Sequence, residues 1–308
     1  MKVYNPNLSE NIVNELQYLN AKYFQFDEPI PFKQGLTLYP INVKDYEDFL
    51  SVSCCLTLNR FEDMRGIGTS NLGYLLIKMS DEKNKEDSER YSRSFIRLCE
   101  LMFHIKYGVY CKKCGKIYDY YDFLLKATNK DFHCECHTDT NEDDEFDVNI
   151  KYKMNEQTKR RELLINDISI NDEEFDRLRE IVMYQNLPDY KDDSWVDPVL
   201  REDQREKERL IAQKNKIGNA TLERKIVCVC AKSNYKIEEV YKLTMRKFIM
   251  LLSVIDDAMT YETTRMGLMT GLVSSKEPIE HWVYKRDDQD LYDNAVDAGS
   301  FKDKITSA

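Results

Sequence analysis

Residues 236–272 read KIEEVYKLTMRKFIMLLSVIDDAMTYETTRMGLMTGL. Ile237, Val240, Leu243, Met245, Phe248, Ile249, Leu252 and Ile255 recur here at steps of three and four, the period of an α-helix. They are too many for one narrow stripe. The spacing therefore predicts helix that packs on the body of the chain and keeps a further apolar face for a partner. Methionines at 245, 250, 259, 266 and 269 add an adaptable surface of the kind that re-packs on binding. This block, with "TLERKIVCVCAKS" before it and a polar tail after it, is expected to occupy 219–308.

Upstream, "REDQREKERLIAQKNK" (201–216) carries ten charges of mixed sign in sixteen residues. It reads as an exposed linker helix over 201–218 that lets the block sit apart. Residues 148–200 form a small α+β part. "VNIKYKM" and "RELLIND" alternate around a polar turn as a hairpin, "ISI" gives a third short strand, and "NDEEFDRLREIVMYQN" opens a helix at an Asn171 cap. The N-terminal 1–107 is a helical body. Ser9 caps a first helix, "PIPFKQGLTLYPI" is extended, Asn42 caps a second helix, and helices follow at about Asn71–Met79 and Ser88–Tyr107. The fold class expected is mainly α with a small β component (α+β).

Between body and hairpin lies the most specific chemical signal, "YGVYCKKCGKIYDYYDFLLKATNKDFHCECHTDTNEDDEFD" (107–147). Cys111 and Cys114 form C-x-x-C-G, in which two thiolates converge on one ion and the glycine permits the turn beneath them. In "DFHCECH", Cys134 and His137 repeat the three-residue step. Cys136 competes with His137 as fourth ligand, and His133 with Cys136 is a third pairing. Residues 108–147 thus read as an inserted zinc-ribbon-like knuckle closed by an acidic loop. A closed, cysteine-rich Zn2+ site is structural, because a catalytic zinc keeps an open position beside a base.

Other candidates have plainer readings. "GIGTSNLG" (66–73) lacks the lysine of a phosphate loop and reads as a loop before a helix. His104 reads as a packed core histidine, His281 as a structural contact, and Asp256-Asp257 as a solvated helix face. No Ser-His-Asp, Cys-His or two-carboxylate arrangement can be assembled, so no catalytic residue and no organic cofactor is expected. The formal charge of −10 and pI near 5.1 disfavour nonspecific attraction to nucleic acid or anionic lipid. No apolar run is long enough to span a membrane, and the N-terminus lacks a signal-peptide pattern. Nine cysteines, several in apolar runs such as Cys54-Cys55 and Cys228-x-Cys230, suit a reducing compartment.

The segments "PIPFKQGLTLYPINVKDYEDFL", "INDISINDEEFDRLREIVMYQNLPDY" and "IEEVYKLTMRKFIMLLSVI" resemble tail-module proteins of bacteriophages infecting low-GC Gram-positive bacteria, over about 25–60 and 160–272. That group comprises tail or baseplate assembly chaperones and minor tail components. The resemblance implies a non-enzymatic, protein-binding role with other tail or baseplate proteins, in the host cytoplasm during assembly or retained in the virion tail, and supplies no active site. The alternative reading is a zinc-ribbon nucleic-acid-binding or regulatory protein, which a basic face around the ribbon would favour. An enzyme would instead need a pocket with convergent carboxylates or an open metal position.

Overall fold

The computed structural model describes residues 8–111, 113–114, 116–120, 146–154, 161–214, 220–271 and 281–283. Its helices are α1 (Glu10–Lys22), α2 (Tyr46–Val52), α3 (Asn71–Met79), α4 (Lys85–Phe103), α5 (Asp172–Asn186), α6 (Pro198–Lys214), α7 (Leu222–Lys232), α8 (Ile237–Val240) and α9 (Met245–Met269). Its strands are β1 (Ile30–Lys33), β2 (Leu36–Leu38), β3 (Gly108–Cys111), β4 (Ile117–Asp119), β5 (Phe146–Val148), β6 (Ile150–Met154), β7 (Arg161–Ile165) and β8 (Ile168–Ile170). All sheets are antiparallel, in the orders β1-β2, β4-β3-β5 and β6-β7-β8. The chain is mainly α with a small β component, as its periodicity predicts.

Two units divide the chain, and their boundary falls within α2 and within α5. One comprises 29–39 and 49–182. Its core joins Phe49 and Leu56 to Leu72 and Leu75 of α3, Phe95 and Met102 of α4, Ile165 of β7 and Phe175 of α5, all buried. The Phe95 and Phe175 rings lie 6.4 Å apart. Local chemistry sets the element ends. The Ser70 hydroxyl accepts from Gly73 N at 2.9 Å to cap α3. Asn171 and Glu174 form a reciprocal cap at the start of α5, Glu174 N to Asn171 Oδ1 at 2.9 Å and Asn171 N to Glu174 Oε2 at 3.0 Å. Glu174 also meets Lys33 Nζ at 2.6 Å, which ties the β1-β2 hairpin to α5. His104 differs from the expected core histidine. It is exposed, ends α4 with a left-handed backbone (φ 53°), and stacks on Tyr39 at 4.1 Å.

The other unit comprises 1–28, 40–48 and 183–308. Ser9 caps α1 by accepting from Ile12 N at 3.4 Å, whereas Asn42 makes no side-chain cap. Val43, Ile226, Val229, Val240 and Phe248 form one buried cluster, around which Tyr46, Leu222, Leu243, Leu252 and Ile255 pack. Thr244 caps α9 and donates its hydroxyl to Asp27 at 2.7 Å, while Met245 N donates to Ile41 O at 2.7 Å. The expected charged helix is α6, and most of its residues beyond Arg201 are exposed. Among the described residues, no helix is long and apolar enough to cross a membrane.

Candidate functional site

The cysteine knuckle is built on β3. Gly108 opens that strand where a Cβ would sit 2.3 Å from the Tyr118 carbonyl oxygen, so only glycine lets β4 pair this closely. The pairs Gly108 with Asp119, Val109 with Tyr118 and Tyr110 with Ile117 set the register. Cys111 N then donates to Lys116 O at 3.1 Å, closing the turn that holds Cys114. Cys111 is fully buried at the end of β3 and Cys114 is exposed in the turn. The hairpin thus carries both cysteines of the C-x-x-C at one bend, Cys111 facing inward and Cys114 facing solvent.

Cys134, Cys136 and His137, the other expected ligands, lie outside the described residues, and no group of three His, Cys, Asp or Glu among the described residues could hold a metal. Strand order sets where the chain leaves and rejoins this sheet. β4 ends at Asp119, across from Gly108, whereas β5 begins at Phe146, directly across β3 from Cys111. The chain thus leaves at the far end of β3 and re-enters at the cysteine end.

A residue that sequence reasoning missed holds this strand. Asn149, between β5 and β6, is buried. Its Oδ1 accepts from Gly108 N at 3.0 Å, its Nδ2 donates to Lys106 O at 2.8 Å, its N donates to Gly108 O at 3.2 Å, and its O accepts from Asn166 N at 2.8 Å. The side chain thus fixes the start of β3, and the backbone of the same residue joins that point to the turn between β7 and β8. Nearby, Lys151 pairs with Asp147 and with Asp167 at 3.1 Å, and Tyr110 donates to Asp167. Burial pushes the Tyr110 hydroxyl up to about 12, helped by the Asp167 carboxylate. In sequence Asn149 is one polar step of the alternating stretch VNIKYKM and gives no such signal.

A groove of about 790 Å3 lies along α4, lined in part by Ser92, Ile96, Glu100, Lys106 and Tyr107. Its charges pair with one another, Lys106 with Asp119 at 3.0 Å and Arg97 with Glu100 at 3.1 Å. In the same unit the neighbouring Cys55 thiol, with the Arg90 charge, holds the Cys54 thiol down to about 7. Cys55 and Cys99 are buried, and burial raises Cys99.

The C-terminal helices form the second candidate. Arg246, buried at the start of α9, donates to Tyr184 O at 2.7 Å and Asn20 Oδ1 at 2.8 Å, with its guanidinium 5.5 Å from the Phe24 ring centroid. Burial lowers its pKa against the opposing pull of Asp27 and Asp189. Beyond this anchor the helices leave apolar side chains in water: Val227 on α7, Ile237 on α8, and Met250, Val254, Met259, Met266 and Met269 on α9. Asp256 and Asp257 are exposed, and the His281 ring lies 5.0 Å from Tyr261.

Residues 212–287 match the family model of the YomV second domain. YomV is a Bacillus phage-region protein, and the match is consistent with a phage-related protein. The matched stretch begins at the end of α6 and takes in α7, α8 and α9. No curated protein and no solved structure matches the chain.

Proposed function

We propose that this protein is a non-enzymatic interaction protein of phage tail or baseplate assembly, acting as a chaperone in the host cytoplasm or staying as a minor component of the virion tail. One observation carries the reading. The stretch matching the YomV second domain coincides with α7 to α9, the helices that hold exposed apolar side chains beside a firmly packed cluster. Solvated apolar side chains gathered on helices are docking material. Val227 and Ile237 supply contact area next to the buried Val229 and Val240, so a partner seated there would rest on a rigid base.

A structural Zn2+ belongs to the same proposal. Cys111, Cys114 and Cys134 hold it with either Cys136 or His137. The supporting observation is the re-entry of β5 opposite Cys111. Elemental analysis of purified protein should find one zinc per chain, and Cys111→Ala should lose it while leaving α7 to α9 folded.

The role itself is tested by tagging the full-length protein and purifying it from cells in which the phage tail genes are expressed. A tail or baseplate protein should co-purify, and the Val227→Glu, Ile237→Glu double variant should lose it while keeping its helical circular dichroism. Recovery of nucleic acid in its place, released by raised salt, would instead support the zinc-ribbon nucleic-acid reading.

A further inference from the structure

The apolar seam of α9 does not stop where its own core stops. Taken in alternating steps of three and four, its positions are Met245, Phe248, Leu252, Ile255, Met259, Glu262, Met266 and Met269. These are the a and d sites of a heptad, and only Glu262 departs from apolar. Met245 and Phe248 are fully buried, and Leu252 and Ile255 pack partly buried on the cluster around Phe248. Farther along the same seam, Met259, Met266 and Met269 are 43%, 60% and 79% exposed. A stripe that begins in the core thus runs on into solvent without changing face.

We propose that residues 252–269 of α9 pair antiparallel with the same residues of a second copy of this chain, about a two-fold axis lying between Met259 and Glu262. The seam is complementary to itself in that direction. An antiparallel coil stacks a sites on d sites, which sets Leu252 against Met269 of the second copy, Ile255 against its Met266, and Met259 against its Glu262. Each partly buried aliphatic residue thereby meets an exposed methionine, whose unbranched thioether adapts to an irregular edge.

Charge favours the same direction. Parallel pairing would stack Glu262 on Glu262 inside an apolar layer, two like charges with little water between them. Antiparallel pairing sets each Glu262 beside a methionine. It also flanks the seam with Asp256 against Thr263 and Arg265 against Ala258, so no like charges face each other. Space agrees: parallel pairing would crowd both clusters around Phe248 at one end of the coil, whereas antiparallel pairing puts them at opposite ends. The overlap is about 27 Å at 1.5 Å per residue, short for a coiled coil, so the dimer forms reversibly with concentration. The pairing does not depend on the assembly role, and Val227 and Ile237 lie outside it.

The test is sedimentation equilibrium on the full chain from low to high micromolar concentration. The mass should rise from one chain to two. Met266→Glu, at a side chain already mostly in water, should hold the protein monomeric with unchanged circular dichroism, and Glu262→Leu should shift dimerisation to lower concentration. A benzophenone amino acid in place of Met269, in mixed isotope-labelled and unlabelled protein, should cross-link to the peptide around Leu252 of the other copy. A monomeric mass throughout, a dimer indifferent to Met266→Glu, cross-links between two 269 positions, or cross-links within one chain would each overturn the proposal.

Discussion

The strands around Asn149 and the helix α9 solve the problem of backbone and side-chain burial by opposite means. Strands of three to five residues cannot bury enough apolar surface to hold themselves, and β3 is fixed instead by polar groups whose every partner is close by. Helix α9 satisfies its own backbone over 25 residues and needs only a grip at one end, from Arg246, Thr244 and Phe248. Each region is therefore vulnerable in a different place. The strand region fails when one polar partner is lost. The helix fails only at its anchored end, and its far half is free to present side chains outward.

The largest effect should come from breaking the anchored end. Phe248→Ala empties a fully buried position in the cluster with Val43, Ile226, Val229 and Val240, and should cost about 3–5 kcal/mol in denaturant unfolding. Met266→Ala, on the same seam eighteen residues later, should change stability by less than about 0.5 kcal/mol in dilute protein, because its side chain already stands mostly in water. Similar costs at both sites would erase the contrast.

Next in size is Asn149→Ala. It leaves Gly108 N and Lys106 O without their side-chain partners and should cost about 1–3 kcal/mol. Hydrogen exchange at Val109 to Cys111 should quicken, while exchange in α9 stays as it was. The smallest effect is electrostatic. The Arg65 guanidinium, bonded to Asp63 at 2.7 Å and Asp81 at 2.8 Å, holds the Asp63 carboxyl down to about 2. Because the folded value lies below the ordinary 3.8, the stabilisation is present above about pH 4 and is lost as pH falls through 2. Asp63→Asn should flatten the acid limb of the stability curve between those values and cost under about 1 kcal/mol at neutral pH, as for an exposed pair.

Periodicity made the helices legible, because apolar spacing and caps such as Ser9 and Asn171 act within one turn of chain. The β6-β7-β8 meander was legible for the same reason: alternation and tight turns are local. Asn42, which has a capping residue's chemistry, makes no cap, since the chain there takes hydrogen bonds from afar, Val43 N to Leu243 O at 2.9 Å. Asn149 and Arg246 were invisible because their partners lie dozens to hundreds of positions away. His104 misled for a related reason. An apolar neighbourhood in sequence suggested burial, but the left-handed turn that ends α4 carries the ring outward onto Tyr39. At the cysteine knuckle the sequence named five ligands and the described structure contains the first two, Cys111 and Cys114, on one hairpin.

If the outer half of α9 keeps its apolar side chains for binding and does not fold them into its own chain, they stay open to reagents in the dilute monomer. Brief oxidation by peroxide, followed methionine by methionine in a mass spectrometer, reads that exposure. In dilute protein Met266 and Met269 should oxidise quickly and Met245 should be protected, and on concentrating the protein Met266 and Met269 should become protected as well. If Met266 and Met269 react as slowly as Met245 in dilute monomer, the chain covers its own seam and the account is contradicted.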